Sequence, residues 1–251
     1  VIAAFAQTPP PATPPAKPEA EVLSELEERA SVRRFSAGIT ASFTPLQAIR
    51  STEQSRSEPV GPAEFRSKTD PDEKYKGFGL TMQVAVTGKF AFNASAIARK
   101  RSFENLTVKL VGVDNVSTPF LDERIGTNYT TKTRMRFIDM PLMVRFYSKD
   151  RFDEGLRFFV EAGPTIRKVT QLRSHTDILF SDQTTSANDD KPSHRNNALG
   201  YTVGAGAQVI DPLGIRVIPH FRYTYWNTLS FDSFLVKGVK KQIEILLTFT
   251  F

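Results

Sequence analysis

Cysteine is absent from the 251 residues, which excludes disulfides, cysteine-ligated zinc and thiol nucleophiles. Tryptophan occurs once. No uninterrupted apolar run approaches the roughly 18 residues of a membrane-crossing helix, so helical spanning is excluded. Mean hydropathy is slightly negative, as in a soluble protein. A membrane barrel nevertheless remains open, because its strands dilute apolar residues one-to-one with polar ones. What the chain has in plenty is phenylalanine, 20 residues against an apolar total of only 40%.

The amino-terminal stretch divides by composition. Val1–Ala6 is apolar and ends in Ala4-Phe5-Ala6, a small-x-small signal-peptidase pattern, so residues 1–6 are expected to be the remnant of a signal peptide. An ordinary apolar tail of a cytosolic protein is the alternative. Residues 7–33 are expected to form a periplasmic spacer. Thr8–Pro18 (TPPPATPPAKP) favours an extended polyproline conformation, with docking to a proline-binding partner as the lesser reading. Glu19–Arg33 has the composition of a short exposed helix or of a disordered acidic segment.

From Arg34 the period changes to two, the signature of strands. Phe35, Ala37, Ile39, Ala41 and Phe43 alternate with small polar residues, as do Phe78, Leu80, Met82, Val84 and Val86. The same pattern recurs over Phe90–Arg99, Ile138–Phe146, Arg157–Arg167, Leu199–Val209, Ile215–Tyr225 and Lys240–Phe251. These eight segments of about ten residues match the span of a tilted transmembrane strand, and an even number is the rule for bacterial barrels. Leu106, Val108 and Leu110 carry the alternation of the third segment further. The connections alternate in length. Gln47–Lys76, Val111–Thr131, Arg173–Asn197 and Asn227–Gly238 are long, whereas Thr87–Lys89, Ser148–Gly155 and Asp211–Gly214 are short. Residues 34–251 therefore predict an all-β, eight-stranded antiparallel up-and-down transmembrane β-barrel, with both termini on the short-turn, periplasmic side.

Alternation does not by itself say which face is inside. The polar face carries Arg99, Arg145, Arg157, Arg167, Arg216 and Arg222 together with Asp139, Glu161 and Glu244, amid Gly, Ser and Thr. An eight-stranded barrel is just wide enough for side chains to fill it, and buried charges of both signs would pair there. The apolar face gathers aromatics at segment ends, among them Phe35, Phe43, Phe78, Phe90, Phe146, Tyr223, Tyr225, Phe249 and Phe251, as interfacial girdles do. The apolar face is therefore expected to meet lipid. A soluble ligand-binding barrel, with that face inward, is the competitor. The net charge of +6 is read as lumen pairing plus attraction to anionic headgroups. Nucleic acid is not expected as a partner, because these arginines do not cluster on one exposed face with stacking aromatics.

The order of several short motifs carries a resemblance. Phe137–Tyr147 (FIDMPLMVRFY), Phe159–Pro164 (FVEAGP), Gly200–Gly206 (GYTVGAG), Tyr223–Trp226 (YTYW) and Leu247–Phe251 (LTFTF) resemble successive strands of the PorT-like outer-membrane β-barrel domain family. The likeness covers roughly residues 34–251. It implies a porin-like, eight-stranded barrel in the outer membrane of a Gram-negative bacterium. Phe251 would be the carboxy-terminal aromatic read by the barrel-assembly machinery. The proline-rich spacer and the long first loop lie outside the shared pattern.

The loops and lumen offer few candidates for chemistry. His175 with Asp177, Ser181 and Asp182 could serve a lipid-modifying or proteolytic site, although loops are rich in such residues in any case. His220 is expected to fill the lumen, and His194 has no neighbour at metal-ligand spacing. Gly200, Gly204 and Gly206 fall at even positions of a strand, which favours close interior packing over nucleotide binding. The acidic runs Asp70-Pro-Asp-Glu73 and Asp189-Asp190 lack the ligand spacing of a calcium loop. No catalytic, cofactor or metal residue is assigned. The expected function is a non-enzymatic structural or surface-interaction barrel with a filled, charged lumen. Its partners would be outer-membrane lipids including lipopolysaccharide, and a protein at the extracellular loops. A narrow anion-leaning channel and a loop-borne enzyme remain the alternatives.

Overall fold

A computed structural model describes residues 34–46, 49–57, 63–71, 76–111, 125–151, 155–180, 183–187, 192–211, 215–233 and 236–251. The signal remnant, the proline-rich spacer and the acidic segment after it lie outside these residues. Eleven strands form one antiparallel sheet: β1 (Phe35–Phe43), β2 (Thr52–Ser57), β3 (Ala63–Pro71), β4 (Lys76–Ala85), β5 (Phe90–Val111), β6 (Ile125–Tyr147), β7 (Arg157–Phe180), β8 (Gln183–Ala187), β9 (Asn197–Ile210), β10 (Arg216–Trp226) and β11 (Lys241–Thr250).

Eight of these close a ring in the order β1-β4-β5-β6-β7-β9-β10-β11, and β11 returns to β1 through Ile39↔Phe249 and Phe43↔Ile245. Closure pairs both edges of every ring strand and so removes the free edge that an open sheet leaves. Three prolines sit inside ring strands, where each withdraws a ladder donor. The ladders skip beside them: between Ala94↔Leu142 and Ile97↔Asp139 at Pro141, beyond Pro141↔Thr165 at Pro164, and between Val217↔Val209 and His220↔Gly206 at Pro219. Arg34 and Phe251 both lie at the rim that carries the short turns, because Phe35 pairs with Val84 and Arg216 with Thr250.

The inside-outside question is settled by exposure. Phe78 and Leu80 are each 69% exposed, whereas Arg145 and Arg222 are 1% exposed. The apolar face points outward around the whole ring and the charged face inward, the reverse of a soluble ligand-binding barrel. Phe35, Phe43, Phe78, Phe90, Phe146, Tyr225 and Phe251 are all exposed, in keeping with aromatic girdles.

One expectation needs correction. The strands β5, β6 and β7 are 22, 23 and 24 residues long, about twice what a membrane crossing needs. Of the stretches read as loops, residues 125–131 belong to β6 and residues 173–180 and 183–187 to β7 and β8, and the first long loop contains the β2–β3 hairpin. Beyond the ring, β2-β3-β5-β6-β7-β8 continue as an open six-stranded sheet. Apolar alternation revealed the extension of β5, through Leu106, Val108 and Leu110, but not that of β6, since Gly126–Lys132 offers polar residues to both faces. Near its base the β6–β7 register shifts between Arg136 and Phe137, leaving Thr170 unpaired in β7. Such a bulge reverses the inside-outside alternation of everything after it.

Candidate functional site

The lumen is organised by two directly opposed pairs on β6 and β7, Arg145↔Glu161 and Asp139↔Arg167. Nearer the short-turn end, Arg145 donates from Nε at 3.0 Å and Nη2 at 2.8 Å to Glu161 Oε2, and from Nη1 at 2.8 Å to Gln83. The other oxygen of Glu161 accepts from Arg222 Nε at 2.6 Å. The Tyr147 hydroxyl lies between Gln83 and Gln208, at 3.0 and 2.9 Å from their side-chain oxygens. Phe159 stacks under the Arg145 guanidinium at 3.9 Å.

Nearer the long-loop end, Arg167 forms a two-pronged contact with Asp139 at 2.7 and 3.0 Å and donates to Gln242 at 2.6 Å. Arg99 Nε lies 3.0 Å from Asp139 Oδ2, and its Nη2 donates to Glu244 at 2.5 Å. Gln242 also donates to Glu244 and accepts from the Trp226 indole at 3.2 Å. The hydroxyl pairs Thr40–Thr248, Thr81–Ser95, Thr165–Thr202 and Thr202–Thr224 lie at 2.6 to 2.9 Å. Burial of a carboxylate or guanidinium is tolerated when partners of opposite charge and additional hydrogen bonds surround it, and both clusters meet that condition.

The glycines of β9 make the lower cluster possible. Gly204 is the cross-strand neighbour of Glu161 on one side and of Arg222 on the other. A Cβ there would lie 3.1 Å from Arg222 Cγ and 3.1 Å from Glu161 Oε1. Gly206 stands likewise between Phe159 and His220, whose rings lie 6.1 Å apart. Gly200 gives its space to Trp226. The interior-packing reading of these glycines is thus confirmed by the neighbours that occupy their side-chain volume.

Above the upper cluster the mouth is closed by an apolar cap. Ile49, Phe103, Met135, Phe137, Leu172, Phe231 and Val236 form one buried cluster. The bridge Ile49↔Gly238 ties the first and last long loops together over it. Arg167 lies 4.3 Å from the Phe137 ring and 4.1 Å from that of Trp226, joining cap to charge network. Sequence reading missed this cap and the inward Tyr147 and Phe159. The two aromatics share parity with Arg145 and Glu161 and were legible. Phe231 and Val236 belong to a connection without alternation and were not.

The histidines are not brought together. His175 and Asp177 lie on the outer part of β7, not in a loop, with His175 Nε2 3.3 Å from Asp177 Oδ1 at an exposed site. Ser181 and Asp182 lie outside the described residues, as do Asp72, Glu73, Asp189 and Asp190. Asp70 pairs with Lys68 at 3.6 Å. His194 stacks on Phe231 beside the cap, and His220 is buried in the lumen, with Nδ1 3.1 Å from the Ile218 carbonyl.

The family described as outer membrane protein beta-barrel domain matches residues 5–227. Similar solved structures include Ail, the attachment invasion locus protein of Yersinia pestis, in complex with the heparin analogue sucrose octasulfate. It is 10% identical over 87% of this chain and 98% of that one, with a TM-score of 0.39. Neisserial surface protein A is 8% identical over 87% and 96%, with a TM-score of 0.32. LpxR from Salmonella typhimurium is 8% identical over 86% and 100%, with a TM-score of 0.33. No curated protein matches the sequence.

Proposed function

The chain belongs to the outer membrane protein beta-barrel domain family, and from that premise we propose that it is a non-enzymatic barrel of the PorT-like branch, closed to solutes, that presents a surface for interaction. The observation that carries this reading is the lumen. Arg99, Arg145, Arg167 and Arg222 are paired across it with Asp139, Glu161 and Glu244, and the apolar cap sits over them. An ion entering would have to displace charge-assisted bonds that are strong in a low-dielectric interior.

The orientation proposed puts both termini in the periplasm and the protruding sheet outside the cell. Residues 1–6 then act as the end of an export signal and residues 7–33 as a spacer. The partners proposed are outer-membrane lipids, lipopolysaccharide among them, and a protein at the protruding sheet. Planar-bilayer recording on refolded protein tests the closed lumen. The expected result is a quiet membrane. Steady single-channel steps with anion preference would replace this reading with the narrow-channel alternative.

A further inference from the structure

The outer wall carries a group of cations whose arrangement the lumen does not explain. On β5, Phe90, Phe92, Ala94, Ala96 and Ala98 point outward, and the next outward residue is Lys100. On β6 the outward row descends through Arg134, Arg136, Ile138, Met140, Leu142, Val144 and Phe146. The change from apolar to basic falls at one level on both strands, since Ala98 faces Ile138 and Lys100 faces Arg136. Nine residues from Phe90 to Ala98 span about 27 Å along the strand. With the tilt of a small barrel, that is roughly the height of a lipid-facing band. The cations therefore stand where hydrocarbon gives way to headgroups.

Their pairing is unusual. Lys100 is directly opposite Arg136, and Arg134 is directly opposite Arg173. Like charges at opposed positions of a sheet repel and cost stability, yet this wall places two such pairs diagonally adjacent. Arg173 joins them only because the bulge at Thr170 turns it outward; unbroken alternation from Arg167 would have sent it into the lumen. Gln171, with its amide oxygen turned to its neighbour, accepts from Arg173 Nη2 at 2.9 Å and Nε at 2.8 Å, which fixes that guanidinium in place. Nearby Glu104 does not neutralise the four, because it faces Lys132 at 3.8 Å. Among the described residues, Lys100, Arg134 and Arg136 have no carboxylate within ion-pair distance. A shallow groove runs between these side chains, lined also by Ser102 and Gln171.

We infer that Lys100, Arg134, Arg136 and Arg173 form a site on the outer wall for the phosphate groups of an anionic lipid in the leaflet bordering the long loops. Phosphate oxygens would sit between the opposed pairs and relieve their repulsion, while acyl chains would lie along the apolar wall below. Arginine suits this role because its planar fork meets phosphate through two parallel bonds. The site rests on the outer-membrane reading above and deepens it from attraction to headgroups in general to a defined position on β5, β6 and β7.

The test uses the folded full chain in detergent, titrated with bis-phosphorylated lipid A and followed by native mass spectrometry. Binding is expected, with loss of about tenfold or more in R134Q/R136Q. K240Q/K241Q removes the same charge from exposed residues on the opposite wall and is expected to stay within about twofold. Dephosphorylated lipid A should bind no better to the wild type than to R134Q/R136Q, and inorganic phosphate at the same concentration should not compete. Equal losses in the two variants or no loss in R134Q/R136Q would overturn the site, and competition by inorganic phosphate would overturn the lipid as its occupant. The heat-dependent shift on an SDS gel is recorded for every sample. Its absence in the wild type would count against the membrane barrel, whereas its presence without lipid A discrimination would sink the phosphate site alone.

Discussion

Gly204 shows how much a missing side chain can contribute. Because β9 has no side chain at that point, Arg222 of β10 reaches across an entire strand to Glu161 of β7, which already holds Arg145. One carboxylate thus serves two buried cations. Glu161→Gln leaves both guanidinium groups without a formal negative partner in a water-poor interior. A stability loss of about 3–5 kcal/mol is expected, read from urea unfolding of the refolded protein in micelles. A loss below about 1 kcal/mol would mean that the lumen admits enough water to screen them. Gly204→Val attacks the same contact by volume, and about 1–3 kcal/mol is expected in the same assay. The charged residues here were legible from alternation and the glycines from their even spacing. Which residues paired was not, because Glu161 and Arg222 are 61 positions apart and their meeting depends on the registers of β7 with β9 and of β9 with β10.

At the scale of elements, the membrane-spanning and protruding halves of β5, β6 and β7 obey different rules. The lower half is specified by contrast between lipid and lumen, so a slip of one residue would bury charge in hydrocarbon. The upper half has no such contrast and depends on ladder hydrogen bonds and cross-strand pairs such as Thr131–Thr176 and Thr133–Ser174. The barrel should therefore fold without the protruding tip. Removing residues 106–130 and joining Asn105 to Thr131, which already face each other, through an Asn-Gly turn is expected to preserve the heat-dependent gel shift. Loss of that shift would show that the protruding hairpin is needed to align β5 with β6. The bulge at Thr170 belongs to this scale too. It turns Leu172 inward to the cap and Arg173 outward to the wall, and no compositional signal marks it.

For the whole molecule, the single tryptophan is a reporter of which side is dry and which is lipid. Trp226 is 2% exposed and hydrogen-bonded within the lumen, although many aromatic residues of the ring face outward. In vesicles of brominated phosphatidylcholine its fluorescence is expected to be quenched far less than that of a Phe158→Trp variant, whose ring would sit on the exposed wall. Comparable quenching of both would invert the assignment of faces. The sequence alone determined the all-β class and the eight crossings, because a lipid exterior and a polar lumen impose a period of two that composition cannot hide; which face is outside was expected from the girdle aromatics and mixed charges and was decided by exposure. The phenylalanine surplus divides accordingly between an outer girdle and the inward Phe103, Phe137, Phe159 and Phe231. Leu106, Val108 and Leu110 also pointed to the extension of β5, but only the tertiary structure decided the length of β6 and β7, the cap at the mouth, and which charges meet. Those features depend on contacts between distant strands and loops, where one residue's environment is set by residues far away in the chain and its immediate neighbours carry no trace of it.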